Sequence, residues 1–253
     1  MTDPTRGVLY PDRLPHFTRL PPGDEASDLV EWYWIPQWDL PDGVESRQTL
    51  LSYPAANLAV EPDGVTLWGV TTRPSERVLR GSGWAVGALL RPAALSVLTA
   101  APADLADSHV VLDEPALHGA VAAAMPDVQA AVDAVESWLV ARVGALTPEA
   151  RLANAVAELL MNDPGVLRLD DAAERLRVSA RTLQRLAHRT VGLPPAAMIR
   201  RRRLQEAAQR VRDDPGASLA DIAADLGYAD QAHLAHDFRT VLGFTASDYR
   251  GDR

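Results

Sequence analysis

Arginine, glutamine and histidine side chains recur on one face of a short segment in the last third of the chain. Between residues 180 and 191, Arg181, Gln184, Arg185 and His188 share one face of a predicted helix, opposite an apolar face. Arginine can donate two hydrogen bonds to a guanine edge, and glutamine can pair with an adenine edge in the major groove of DNA. The pattern therefore predicts a base-reading helix; the alternative is a polar face that only meets solvent.

A second segment, residues 230–242, has the same organisation with a less cationic polar face. Its predicted outward-facing residues are Gln231, Ala232, His233, His236 and Arg239. The apolar stripes predicted to anchor the two helices are Leu183, Leu186, Ala187 and Val191 in the first, and Leu234, Phe238, Val241 and Leu242 in the second. Because Asp230 and Asp237 lie close to the second polar face, we expect weaker or more degenerate base reading there.

Each base-reading segment follows a shorter helix and a tight turn, so one pattern occurs twice, in residues 169–192 and 219–243. An Ala-x-x-Leu pair precedes each turn, and the two copies are offset by 50 residues before the turn and by 51 after it. One extra turn residue explains the difference. Repetition of this kind predicts two helix-turn-helix motifs, with Ser179 as the N-cap of the first base-reading helix and Ser218 opening the second copy in a capping box.

A longer helix is predicted to join the two motifs. It has a proline in its first turn, covers residues 195–213 and ends before Pro215-Gly216. At about 1.5 Å per residue it is a rod of about 28 Å, close to the roughly 34 Å between successive major grooves on one face of DNA. Residues 200–203 are four consecutive arginines, whose side chains point in different directions around this helix. We therefore expect only one or two of them to contact phosphate. The predicted phosphate contacts are Ser179, Thr182, Arg200 and Arg203.

Residues 150–253 resemble the DNA-binding domain of the AraC/XylS family of bacterial transcription regulators. The resemblance rests on the motifs Arg203-Leu204-x-x-Ala207, Ile222-Ala223, Leu226-Gly227-Tyr228, Asp230-Gln231-Ala232-His233-Leu234, Phe238, Gly243 and Tyr249-Arg250. It implies base contacts from the outer faces of both helices, namely from Arg181, Gln184, Arg185, Gln231, Ala232 and His236. The sequence departs from the family at Ala187 and Leu234, where phenylalanine is common, and at Ala246, where proline is common; these departures concern packing.

The N-terminal half has the alternating pattern of β-strands from about residue 29 to residue 90. Apolar residues alternate on both sides of the turn Pro62-Asp63-Gly64, which predicts a hairpin. The predicted fold class is α+β, with an N-terminal β-rich barrel or sandwich flanked by helices, and an all-α C-terminal domain in which a long helix joins two helix-turn-helix motifs. The family resemblance implies that the β-rich part is cupin-like.

Three regions are predicted: a β-rich effector-binding domain in residues 1–105, a helical linker or dimerisation segment in residues 106–146, and the DNA-binding domain in residues 147–253. An apolar stripe in residues 128–139 either packs on the β-rich domain or pairs with a second subunit. Four tryptophans are the candidate effector-binding residues: Trp32, Trp34, Trp68 and Trp84. Lining a concave site, they would bind an apolar or planar molecule; the alternative is that they fill the core.

Charge is divided unevenly along the chain. Residues 164–253 contain 15 Arg against 12 Asp and Glu, whereas residues 1–163 contain 10 Arg against 22 acids, and the net charge of the whole chain is −9. This asymmetry favours a cationic DNA-binding module joined to an acidic module. The absence of cysteine excludes disulfides, thiol redox chemistry and thiolate metal sites. His16, His109 and His118 are far apart in the sequence, so no metal site is predicted in the N-terminal half. Because no catalytic or cofactor-binding motif is present, we predict neither a cofactor nor enzymatic activity.

We therefore expect a sequence-specific DNA-binding transcription regulator that responds to a small-molecule effector. Its predicted partner is double-stranded promoter or operator DNA, with RNA polymerase as a further partner if it activates transcription; a homodimer is left open. The alternatives are a ligand-independent regulator whose N-terminal domain is an oligomerisation or RNA polymerase contact module, and an enzyme domain tethered to DNA. The polar residues 1–5 and the lack of a long apolar run predict a soluble cytoplasmic protein without a membrane partner.

Overall fold

The computed structural model describes residues 16–50, 54–73, 75–214, 216–243 and 245–246. Its strands are β1 His16–Leu20, β2 Val30–Asp39, β3 Glu45–Leu50, β4 Asn57–Glu61, β5 Gly64–Trp68, β6 Ser75–Arg80, β7 Ser82–Trp84, β8 Val86–Leu90 and β9 His109–Leu112. Its α-helices are α1 Pro92–Leu98, α2 Pro115–Ala124, α3 Val128–Val143, α4 Pro148–Asn162, α5 Leu169–Leu176, α6 Ala180–Thr190, α7 Pro195–Asp213, α8 Leu219–Asp225 and α9 Gln231–Leu242. The predicted α+β class is confirmed, with a β-rich N-terminal region and a helical C-terminal region. The predictions on residues 1–5, Pro215 and Tyr249-Arg250 lie outside the described residues.

Seven strands form one antiparallel sheet in the order β1-β2-β8-β4-β5-β9, with β7 also pairing with β2. The predicted hairpin is β4–β5, in which Leu58 lies opposite Leu67. Strands β3 and β6 form a separate two-stranded sheet, which an ion pair between Arg77 and Glu61 connects to the large one. Over the described ranges β1 and β9 do not pair with each other, so the large sheet is open, as in a sandwich, and is not closed into a barrel.

The two faces of the large sheet differ in what covers them. Tyr33 and Ile35 of β2 are fully buried in the N-terminal core, together with alternate residues of β4, β5 and β8. The alternation of side chains in a strand then places Trp32 and Trp34 on the second face. The Tyr33 hydroxyl donates to a carboxylate oxygen of Glu136 in α3 (3.3 Å), and burial, followed by the charge of Glu136, raises the pKa of Tyr33.

Helix α3 packs with α2 on the first face of the sheet. The apolar stripe of α3 is buried in the same core as the strands, and its buried members are Ala131, Val132, Val135 and Leu139. Of the two alternatives that the sequence left open for this stripe, packing on the β-rich region is therefore the one that the structure shows. The stripe is not available to a second subunit.

The C-terminal region contains two hydrophobic cores that share helix α7. Helices α4, α5 and α6 and the first part of α7 surround one core, which includes Leu183 and Leu186. The rest of α7 packs with α8 and α9 around the other, which includes Leu204 and Phe238. Burial of each such side chain contributes about 1.5–3 kcal/mol to stability. All eight residues predicted to anchor the base-reading helices are buried.

The N-terminal region contacts the first of these cores directly. Val70, which precedes β6, is fully buried in it. Asn154 of α4 accepts a hydrogen bond from the backbone N–H of Ala93 (3.0 Å) and donates to the backbone carbonyl of Asp28 (2.7 Å). The first helix-turn-helix motif is therefore docked on the N-terminal region, whereas the buried residues of the second core all belong to residues 204–246.

Candidate nucleic-acid interface

The turns of the two copies close with the same backbone hydrogen bonds. In each copy one N–H donates to the carbonyl three residues back, and the next N–H donates to the carbonyl five residues back. These donors are Arg177 and Val178 in the first copy (3.2 and 3.1 Å), and Gly227 and Tyr228 in the second (3.0 and 2.8 Å). Arg177 and Gly227 both adopt the left-handed conformation, with φ of 54° and 71°. The predicted duplication, with its offset of 50 residues, therefore corresponds to two helices that end in the same way.

The helices that follow the turns begin with equivalent caps, now offset by 51 residues. The Ser179 hydroxyl accepts from the backbone N–H of Thr182 (3.1 Å), and the Asp230 carboxylate accepts from the N–H of His233 (2.8 Å). Each cap satisfies an amide group that has no partner inside its helix and contributes about 1 kcal/mol. The predicted cap at Ser179 is present, and the single extra residue is Ala229 in the second turn.

The predicted base-reading side chains of α6 are all exposed. Arg181, Gln184, Arg185 and His188 lie opposite the buried stripe, and within the part of the chain that the structure describes none of them has a hydrogen-bond or ion-pair partner. The next cation of the helix, Arg189, pairs with a carboxylate of α4. Helix α6 therefore presents a face of polar groups that are free to bind a base edge.

Helix α9 also exposes its predicted residues, which are Gln231, Ala232, His233, His236 and Arg239. The sequence predicted that Asp237 lies close to this polar face, but the residue points inward and is only 3% exposed. It therefore does not make the outer face acidic. The rings of His233 and Tyr228 are nearly perpendicular, with centroids 5.2 Å apart, and Nε2 of His236 lies 3.4 Å from the Thr240 hydroxyl.

Two members of the arginine run contact the second motif. The Arg200 guanidinium forms an ion pair with the buried Asp237 of α9 (2.5 Å). The Arg203 guanidinium lies 3.8 Å from the centroid of the Tyr228 ring in the second turn. Burial raises the pKa of Tyr228, and the charge of Arg203 opposes that rise. These contacts fix α7 against both the turn and the second helix of this motif.

The other two members contact different regions. Arg202 donates to the backbone carbonyl of Val166, just before α5 (2.7 Å). Arg201 is 5% exposed, and burial lowers its pKa to about 10 against the attraction of Asp107 in the N-terminal region. Burial also opposes ionisation of Asp107, but two hydrogen bonds from Thr72 and the nearby arginines hold the pKa of Asp107 below its usual range. The run therefore connects α7 with both motifs and with the N-terminal region.

Each predicted phosphate contact has an intramolecular partner. Arg200 and Arg203 make the contacts just described, and the hydroxyls of Ser179 and Thr182 lie within hydrogen-bond distance of each other (2.8 Å). Phosphate binding by these four residues stays a prediction. Sequence reasoning missed Asp237 as an inward residue, although its position three residues after Leu234 is that of the buried stripe.

The four candidate effector-binding tryptophans lie on both faces of the large sheet. The Nε1 atom of Trp34 donates to Asn57 (2.9 Å), and Asn57 is the cross-strand neighbour of Trp68. The ring centroid of Trp68 lies 4.3 Å from that of His109, whereas Trp84 packs against the N-terminal core. Their role in effector binding stays a prediction. In the described ranges no cluster of three or more His, Asp or Glu residues could hold a metal ion, and no helix there is long and apolar enough to span a membrane.

Two families match separate parts of the chain. Residues 172–252 match a family described as a helix-turn-helix domain. Residues 18–111 match a domain of unknown function (DUF6597). The first match covers both α6 and α9, and the second covers all nine strands apart from the ends of β1 and β9.

Solved structures that match the chain include the C-terminal domain of AraT from Geobacillus stearothermophilus. It is 22% identical, covers 42% of this chain and 87% of its own, and has a TM-score of 0.37. ToxT from Vibrio cholerae is 11% identical, covers 93% of this chain and 97% of its own, and has a TM-score of 0.42.

Curated relatives are similar to part of the chain. An AraC-like transcription regulator from Streptomyces antibioticus is 32% identical over 120 residues, which are 47% of this chain and 38% of the relative. The HTH-type transcriptional activator AarP from Providencia stuartii is 36% identical over 84 residues, which are 33% of this chain and 62% of the relative. The chain thus spans less than two thirds of the length of these relatives. The chain therefore contains a helix-turn-helix domain and is similar to AraC-like transcription regulators.

Proposed function

We propose that this chain is a sequence-specific DNA-binding transcription regulator that reads two adjacent major grooves with α6 and α9. The observation that supports this most directly is the unpaired, exposed set Arg181, Gln184 and Arg185 on a helix whose opposite face is buried. Bidentate contacts from such side chains each discriminate between bases by about 1–3 kcal/mol. Helix α7, with 19 residues, separates the two motifs by a length of about 28 Å, comparable to the groove repeat.

Helix α6 carries the larger share of the specificity. Its outer face has two unpaired arginines and a glutamine, whereas the central position of the α9 face is Ala232, which cannot donate or accept a hydrogen bond. The imidazoles of His233 and His236 also have neighbours within the second motif. We therefore propose a strongly specified half-site under α6 and a more degenerate one under α9.

We also propose that a small-molecule effector acts through the cleft between the N-terminal region and the first motif. This cleft is small, with a cavity volume of about 40 Å³, and it is partly open to solvent. Most of its wall is apolar, and Arg91 crosses it by pairing with Glu31 on one side (2.7 Å) and Glu158 of α4 on the other (3.4 Å). A ligand that binds only one relative arrangement of the two walls shifts the population toward that arrangement.

An effector in this cleft should be apolar or planar, because the charge of Arg91 is already matched by two carboxylates. Replacement of Ala157, which lines the cleft from α4, by phenylalanine would fill the cleft. We expect that variant to bind operator normally and to lose the response to any effector of the parent chain. A retained response would place the effector site elsewhere. We further propose that the chain has no enzymatic activity, since its curated relatives are named as regulators.

Selection of bound sequences from a random duplex library tests the main proposal. The full chain is compared at near-physiological salt with an Arg181/Gln184/Arg185 triple-alanine variant and with Arg189→Ala as a matched control, because Arg189 is exposed on the same helix but already paired. We expect a motif with two parts about one helical turn apart, lost in the triple variant and kept in the control. Identical enrichment by all three proteins would refute base reading by α6.

A further inference from the structure

The two helix-turn-helix motifs also touch each other directly, in addition to their contacts with α7. Leu167 lies in the connector between α4 and α5, residues 163–168. It is 40% exposed, and among the described residues it belongs to neither C-terminal core. Its side chain lies against Gly227, in the turn of the second motif. A Cβ atom at Gly227 would be 3.2 Å from Cδ1 and 3.5 Å from Cδ2 of Leu167. An apolar side chain of the first motif therefore covers the backbone of the second turn.

Comparison of the two turns shows that glycine at position 227 serves this contact as well as the turn. Arg177 occupies the equivalent position in the first turn with φ of 54°, so the left-handed conformation alone does not exclude a side chain. At Gly227, with φ of 71°, a Cβ would add a close contact with Leu167 to the same backbone strain. Carbon atoms pack best at about 3.5–4.0 Å. The missing Cβ therefore permits the close approach of the two motifs.

The backbone on both sides of Leu167 is held in place. One carboxylate oxygen of Asp171 accepts hydrogen bonds from the N–H groups of Leu167 (2.9 Å) and Arg168 (2.8 Å). The preceding residue, Val166, is fully buried in the first core. Its carbonyl accepts a hydrogen bond from the Arg202 guanidinium of α7 (2.7 Å). The connector is therefore fixed to α5 and to α7, and Leu167 extends from this fixed segment to the second motif.

We propose that Leu167 is a positioning residue that fixes the spacing between the two operator parts read by α6 and α9. This role rests on the proposed function, because it concerns the separation at which two helices meet DNA. Helix α7 joins the motifs as a single rod, and long helices can curve. The contact between Leu167 and Gly227 is a second link between the same two motifs. Two links at different places restrain bending that α7 alone would allow.

A change of one base pair in the operator is large compared with this contact. One inserted base pair moves the second part by about 3.4 Å along the duplex and turns it by about 35° around the axis. A displacement of that size either separates the Leu167 methyl groups from the second turn or drives them into it, because the attraction between carbon atoms is confined to about 3.5–4.0 Å. The parent chain should therefore accept a single spacing.

Binding to operators of different spacing tests this role. The operator selected by the parent chain is compared with versions in which one base pair is inserted or deleted between the two parts. We expect this change to weaken binding by the parent chain at least about tenfold, and binding by Leu167→Ala less than about threefold. Leu167→Met keeps an apolar side chain of similar size and should behave like the parent. Val97→Ala is the control for truncation of an exposed apolar residue, because Val97 of α1 is 47% exposed.

The ratio of affinities for the two spacings separates positioning from stability, since a variant that is only less stable loses affinity for both operators equally. Equal ratios for the parent chain and Leu167→Ala would overturn the role of Leu167 and leave two-groove reading standing. A parent chain that selects no two-part operator would overturn the proposed function itself, and the role of Leu167 with it.

A measurement without DNA tests the link itself. The chain has no cysteine, so spin labels can be attached at Glu174→Cys in α5 and Ala224→Cys in α8, two exposed positions outside the base-reading helices. We expect the distribution of distances between the labels to become at least about twofold broader when Leu167→Ala is added, and to stay narrow with Leu167→Met. An unchanged width in Leu167→Ala would mean that α7 holds the motifs without this contact, and would overturn the proposal.

Discussion

Replacement of Arg200 by methionine would leave the carboxylate of Asp237 buried without its cation. Breaking a fully buried ion pair costs about 3–5 kcal/mol, whereas an exposed pair contributes about 0–1 kcal/mol. Asp237 is almost completely buried, but the Arg200 side chain is 38% exposed. We therefore expect Arg200→Met to lower the free energy of unfolding by about 2 kcal/mol. Asp237→Asn should cost only about 1 kcal/mol, because Arg200 can turn toward water.

Urea unfolding of the single and double variants measures these energies, and the double-mutant cycle isolates the pair. Asp225→Asn is the control, since its ion pair with Arg210 is exposed and should contribute less than about 0.5 kcal/mol. If Arg200→Met were as stable as the parent chain, or if Asp237→Asn cost more than Arg200→Met, the asymmetry argued from burial would be wrong.

The Arg200→Met variant also tests whether Arg200 contacts DNA. Loss of one phosphate contact lowers the slope of log affinity against log salt by about one unit and weakens all sequences equally. A purely structural role predicts an unchanged slope and a loss confined to the part of the operator under α9. We expect the structural result, since the guanidinium is already paired with Asp237. A slope reduced by one would show instead that Arg200 leaves its partner to bind phosphate.

Three further predictions concern single residues. Arg185→Ala should weaken operator binding by about 1–3 kcal/mol and relax the base preference at one base pair. Competition between operator variants measures both effects. As the control, Arg189→Ala should change the affinity for the operator less than about threefold. Arg177→Gly should raise the free energy of unfolding in urea by about 0.5–1 kcal/mol, because its φ of 54° is strained for any residue with a Cβ. Asp107 has a pKa held below its usual range in the folded chain, so its contribution to stability is present above about pH 4 and is lost as pH falls through the folded-state value. Thr72→Val removes the hydrogen bond from the Thr72 hydroxyl to that carboxylate and keeps the one from its backbone N–H, so it should reduce stability at neutral pH and leave it unchanged at low pH.

Each of these has a result that contradicts it. An equal loss of affinity for all operator variants would make Arg185 a phosphate contact. An unchanged or lower stability of Arg177→Gly would mean that its side chain stabilises the turn by more than the backbone strain costs. A Thr72→Val effect that is equally large at all pH values would mean that the hydroxyl acts through packing and not through the charge of Asp107.

Local signals in the sequence predicted most of the C-terminal region. The cap at Ser179, the end of α7 and the buried stripes depend on spacing within one helix or on one neighbouring turn, and the structure contains them. In the N-terminal region, alternation predicted strands and the β4–β5 hairpin, and the structure contains them. It could not predict which face belongs to the core, because that depends on strands and helices that are distant in the sequence, such as α3.

The arginine run could not be interpreted from the sequence for a related reason. A helical wheel predicts that four consecutive side chains point in four directions about 100° apart, but it does not say what lies in each direction. Helix α7 passes from one core to the other at this point, so the four directions lead to Asp237, to the neighbourhood of Asp107, to Val166 and to Tyr228. Charged residues can be buried there because each meets a carboxylate, a carbonyl or an aromatic face.

This placement has a consequence for DNA reading. The angle between α6 and α9 depends on how α7 packs against the two motifs, and side chains from neighbouring positions of α7 contact both of them. Arg201 extends the same set of contacts toward the N-terminal region. A change at any one of these contacts therefore alters the relative orientation of the base-reading helices without touching a base. The Arg203→Ala variant should therefore prefer an operator in which the spacing between the two parts is altered. Loss of a direct base contact, as in Arg185→Ala, should instead alter the preferred base and leave the preferred spacing unchanged.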